Sequence, residues 1–77
     1  MKRRELVARV LLAGTGFEAR LEFPRTARDK RAIGAAITSS MAVRNLARVL
    51  GFKPGFDYRY EGKAADGVGT VWSIVQL

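Results

Sequence analysis

The chain is 77 residues long, has no cysteine and no histidine, and carries a net charge of +7 from 14 basic and 7 acidic residues. That composition excludes a disulfide scaffold, a Cys/His zinc site and an imidazole general base. One domain, 1–77, is all this length holds, and a chain this short buries only about 60–65% of its unfolded surface, so a second copy is a natural source of further burial.

The opening segment, MKRRELVARVLLAG, has a cationic start followed by an apolar run, as a signal peptide does. Glu5 and Arg9 interrupt the run, and it is too short to span a membrane. With no cysteine to suggest an oxidising compartment, a cytoplasmic protein with no membrane partner is the expectation. Residues 5–12 (ELVARVLL) and 17–23 (FEARLEF) instead predict two strands. In the second, Phe17, Ala19, Leu21 and Phe23 alternate strictly with Glu18, Arg20 and Glu22, the period of a half-buried strand. Between them lies AGTG, and Gly14 and Gly16 are read as the positive-φ residues of a tight hairpin.

Pro24 stops the second strand. Thr26, with Asp29 three residues later, predicts a capped helix from about residue 27. Ile33, Ala36 and Ile37 would lie on one face of it, and Val43, Leu46, Ala47 and Leu50 form a second stripe at i, i+3, i+4 and i+7. One straight helix does not align them, because Leu46 falls about 140° around the axis from Ile33. A break near Thr38-Ser39-Ser40 resolves this: those hydroxyls cap a new helix or bond back to the preceding turn. The expectation is one kinked helix or two short ones, with Arg44 and Arg48 facing outward and Gly51 as the terminating glycine.

After a turn at Pro54-Gly55, Phe56, Tyr58 and Tyr60 alternate with Asp57, Arg59 and Glu61, and TVWSIVQL closes the chain as a last strand. Strands 5–12 and 70–77 are apolar on both faces and so belong at the centre. The expected fold is α+β, ββ-α(α)-ββ: a four-stranded antiparallel sheet, order 2-1-4-3 in chain order, with the helical segment on one face. The other face would keep an apolar strip including Val7, Leu11 and Val75 between charges, a candidate homodimer surface.

The motifs of catalysis are weak. GTGFEA imitates a dinucleotide fingerprint, but a strand follows it where that site needs a helix. The acids Glu5, Glu18, Glu22, Asp57 and Glu61 share their faces with Arg9, Arg20 and Arg59, and cross-strand ion pairing accounts for them. No nucleophile–base arrangement or phosphate-binding loop is visible, so no enzyme, no cofactor and no metal are expected. The row Phe56, Tyr58, Tyr60 suits core packing beneath the helix, and also suits stacking of bases.

The strongest signal is the placement of charge. Residues 24–54 carry Arg25, Arg28, Lys30, Arg31, Arg44, Arg48 and Lys53 against one acid, Asp29, which is +6 of the total +7. Arginine's planar fork suits phosphate oxygens and carboxylates. The expected function is non-enzymatic binding of nucleic acid, DNA or RNA, through the phosphate backbone and with weak sequence specificity. The alternative is a small protein-interaction module or inhibitor, of the kind mobile elements carry, that docks its basic helix on an acidic protein surface or a nucleic-acid-processing partner. A third reading is a winged helix, with 40–50 as recognition helix and 56–75 as wing; it requires residues 5–23 to pair away from that wing.

Overall fold

The computed structural model describes residues 4–77. The cationic start, Met1 to Arg3, with its signal-like character, lies outside the described residues. In chain order the elements are β1 (Glu5–Ala13), β2 (Gly16–Leu21), α1 (Ala27–Arg31), β3 (Gly34–Ala36), α2 (Ser39–Val49), β4 (Asp57–Lys63) and β5 (Thr70–Val75). They form a five-stranded antiparallel sheet of order β3-β2-β1-β5-β4. The four expected strands keep their expected relative order, with β1 and β5 inside. The sheet has five strands and not four because a short strand pairs beyond β2. Since β1 pairs along β5, residues 5–23 do not pair away from 56–75, and the winged-helix arrangement is not the one adopted.

The fifth strand replaces the stretch expected to be helical. Thr26 does cap α1: its Oγ1 accepts from the Asp29 amide at 3.0 Å, and the Arg25 amide donates to the Asp29 carboxylate at 3.3 Å. The helix then stops after Arg31, with Ala32 already extended. Gly34 weakens helix by about 1 kcal/mol relative to alanine. The extended backbone of 34–36 satisfies its polar groups by pairing with Phe17–Ala19 of β2. Ile33 and Ile37 therefore form no helical stripe, and Ile37 stands 77% exposed.

The second helix follows the sequence closely. Thr38 Oγ1 accepts from the Met41 amide at 3.3 Å. At the other end Gly51 takes φ +84°, the Phe52 amide donates to the Ala47 carbonyl, and the Gly51 amide donates to the Arg48 carbonyl, both at 3.0 Å. That paired bonding is the Schellman ending, and only glycine takes its left-handed residue without strain. Ala42, Val43, Leu46 and Ala47 are buried against Ala8, Val10, Ala19 and Ile74 of the sheet. Small residues at this contact let the helix sit close, and closest of all over Gly34, where a Cβ would collide with the backbone of Ala42 and Leu46.

At the β1–β2 turn only Gly14 has positive φ (+61°), at the first position of a two-residue loop, as in a type II′ turn. Gly16 is a strand residue. Its lack of a side chain serves close approach, since a Cβ there would lie 2.6 Å from the Ala36 carbonyl oxygen.

Two further features position the site. Helix α2 lies across β3 and β2 and reaches β5 and β4 only at its margin. Phe56, Tyr58 and Trp72 are accordingly only partly buried, and Tyr60 is 55% exposed. The core reading of the aromatic row holds for its inner members and fails for Tyr60.

The opposite face carries Val7, Leu11, Val71 and Val75 among charges. There Arg9 bridges strands and loop: Nε and Nη2 donate to the Glu22 carboxylate at 2.6 and 2.8 Å, and Nη1 donates to Asp66 at 2.6 Å. Arg20 pairs with Glu18 and Arg59 with Asp57, each along its own strand. Of these pairs only Arg9–Glu22 is cross-strand.

Candidate nucleic-acid interface

The seven cations of residues 24–54 separate into two groups. Arg25, Arg28, Lys30 and Arg31 lie on or just before α1 and are all exposed. The chain reaches α1 from the end of β2, whose last residue, Leu21, pairs with Ala8 near the start of β1. The C-terminus of α2 lies at that same end of the sheet, because the Leu50 carbonyl accepts from Arg4 Nη2 at 3.0 Å. Arg48 and Lys53 flank this helix end. The Lys53 side chain is exposed, while its backbone is tied to the C-terminal segment: its amide donates to Gln76 Oε1 at 2.7 Å and its carbonyl accepts from Gln76 Nε2 at 3.3 Å.

Arg44 and Arg48 stand one turn apart on the flank of α2 that faces away from β3. The other flank is held to β3 by Asn45, whose Nδ2 donates to the Ala35 carbonyl at 2.9 Å. The two arginines line a groove of about 470 Å³ together with Phe52, Phe56 and Tyr58, with Pro54 and Gly55 at the turn. Arg48 is exposed. Arg44 is half-buried, which corrects the expectation that both face outward. The helix is rolled so that Ala47 meets the sheet, and this draws Arg44 down beside β4. Its Nε is buried and has no hydrogen-bond partner among the described residues. The α1 cations do not line this groove.

Charge is divided sharply. Among the described residues the ion pairs form at Arg9, Arg20 and Arg59, all on strands. None of the seven helical-segment cations takes part in one. Arg9 holds the Asp66 carboxyl below its ordinary range, chiefly by hydrogen bonding, with the Val68 amide assisting. The strand arginines are thus committed to carboxylates, and the helical ones are free to engage an external anion.

The sequence did not point to Arg4. Its guanidinium lies 4.4 Å over the centre of the Phe52 ring while bonding the carbonyl of Leu50, the residue that caps the C-terminus of α2. A cation there complements the negative end of the helix dipole. Nor did the alternating row show that Phe52 and Trp72 extend it: ring centres run Phe52–Phe56 5.9 Å, Phe56–Tyr58 6.0 Å, Tyr58–Trp72 6.5 Å and Trp72–Tyr60 5.4 Å. The register was the missing signal, since Tyr60 pairs with Trp72 across β4–β5.

Among the described residues no group of three or more acidic, His or Cys side chains gathers as a metal site would. No helix among them is long and apolar enough to cross a membrane. Comparison with protein-family models, curated proteins and solved structures finds no match for this chain.

Proposed function

We propose that the protein is a non-enzymatic nucleic-acid-binding domain that engages the phosphate backbone through Arg25, Arg28, Lys30, Arg31, Arg44, Arg48 and Lys53. The supporting observation is the division of cations: strand arginines pair with carboxylates, and the cations of α1, α2 and the following turn do not. An arginine without an internal carboxylate keeps its planar donor fork for phosphate oxygens. Such groups contact phosphates and read no bases, so binding is weakly sequence-specific. The same reading places the protein in the cytoplasm and uses the open sheet face, with Val7, Leu11, Val71 and Val75, to pair two copies.

The alternative occupant of the basic surface is an acidic protein. Anisotropy titrations with labelled duplex DNA, single-stranded DNA and RNA at about 50 mM salt separate the two. Nucleic-acid binding is expected, and it weakens when Arg25, Arg28, Lys30 and Arg31 are together replaced by glutamine. Absence of salt-sensitive binding to all three probes would eliminate the proposal and favour the protein-docking alternative.

A further inference from the structure

The helix-side face of the sheet is only half covered. Over β3 and β2 lies α2; over β5 and β4 the face presents aromatic rings, buried at Phe52, partly buried at Phe56, Tyr58 and Trp72, and open at Tyr60. Five rings follow one another at centre spacings between 5.4 and 6.5 Å. Beside the inner rings stand Arg44 and Arg48, and the groove they share has no acidic side chain in its lining.

We infer that this half-face is a seat for single-stranded nucleic acid, with bases stacking on Tyr60 and Trp72 and phosphates held by Arg44 and Arg48. The inference rests on the phosphate-binding reading above and adds to it the strandedness of the ligand and the residues that select it.

Three observations carry it. A purely structural aromatic row would be covered, and Tyr60 is more than half exposed at the open end of this one. Flat rings on a strand bind planar, unpaired bases with little sequence preference. In a duplex the base faces are occupied by their neighbours, so a stacking platform selects single strands. Finally, burial of Nε fixes the Arg44 stem beside the inner rings, and the groove that Arg44 and Arg48 line one helical turn apart offers their guanidinium groups no carboxylate, so a phosphate there is the anion that fits. Carboxylates of an acidic peptide would satisfy the arginines but leave the rings unused.

The molecule carries its own reporter, because Trp72 is its single tryptophan. The test compares a short oligothymidylate, an abasic oligonucleotide of the same length, a duplex of equal charge and polyglutamate, by anisotropy and by tryptophan emission. Oligothymidylate is expected to bind on the order of tenfold or more tighter than the abasic strand, the scale of one stacked base, and to quench Trp72. Tyr60→Ala removes that preference while leaving abasic affinity unchanged, and Tyr60→Phe restores it. Equal affinity for the thymidylate and abasic strands overturns the stacking inference and leaves phosphate binding standing, as does a Tyr60→Ala protein that behaves as wild type. Tightest binding to duplex, or to polyglutamate, also overturns it. No binding to any nucleic acid overturns both readings. Urea unfolding of Tyr60→Ala confirms that its fold is intact, as an exposed edge-strand side chain requires.

Discussion

Replacing Gly34 with alanine places a methyl carbon within contact distance of the Ala42 carbonyl oxygen and the Leu46 amide nitrogen, and 2.8 Å from Leu46 Cα. These are backbone atoms and cannot rotate away. Ordinary contact begins at 3.4 Å, so clearing Leu46 Cα alone raises the helix by the difference, about 0.6 Å, and the closer Ala42 carbonyl oxygen and Leu46 amide nitrogen demand more. A gap of that size forfeits roughly a quarter to a half of each dispersion contact it opens. The contacts at stake are those of Val43 and Leu46, both fully buried on α2. At about 1.5–3 kcal/mol of burial per such side chain, the loss is about 1–3 kcal/mol. Overpacking strain adds a cost of similar size. The expected destabilisation is about 3 kcal/mol, or a melting temperature lower by roughly 10–25 °C for a domain of this size.

Gly14→Ala is the control: Gly14 has φ +61° with no atom within 4 Å of the added carbon, so only backbone strain of about 1–2 kcal/mol applies. Thermal and urea unfolding followed by circular dichroism measures both. A Gly34→Ala protein no less stable than Gly14→Ala would refute the close crossing of α2 over β3.

Leu46→Ala, at the fully buried centre of the core, is expected to cost about 3–4 kcal/mol in urea unfolding. Thr38→Ala removes the acceptor of the Met41 amide and is expected to cost about 1 kcal/mol by the same assay. NMR titration of the Asp66 carboxyl is expected to give a midpoint below its ordinary value, and Arg9→Met is expected to move that midpoint back up. Because the folded value is depressed, the associated stability is present above the unfolded value of about 3.9 and fades as pH falls through the folded one. Sedimentation at micromolar concentration is expected to show a dimer that Leu11→Lys dissociates.

Where local chemistry decided the structure, the sequence was informative. Thr26, Thr38 and Gly51 mark helix ends by hydrogen bonding that any helix requires, and all three act as expected. The two-sided apolar character of residues 5–12 and 70–77 placed them inside the sheet, where β1 and β5 lie. The stretch 32–37 misled because AIGAAI satisfies a helical period as readily as a short strand. Its outcome was decided by the unpaired edge of β2 and by the space only Gly34 leaves beneath α2, neither of which is local.

The site was half legible. The excess of cations over acids is plain in the composition of 24–54, and their lack of ion pairs is not. The pairing of Arg44 with the aromatic groove depends on the roll of α2, and the extension of the rings to Tyr60 depends on its register with Trp72; both join residues far apart in the chain.

If the cations of the helical segments neutralise phosphates, binding weakens steeply with salt as counterions are released. For four to six phosphates on a single strand, log affinity is expected to fall against log salt with a slope of about −3 to −4. Replacing the exposed Arg28, Arg31 and Arg48 with glutamine is expected to flatten that slope by about two units. Arg59→Gln, which removes a cation already paired with Asp57, is expected to leave it unchanged. A slope near zero, or one that the triple substitution leaves intact, would mean that these cations hold no phosphates.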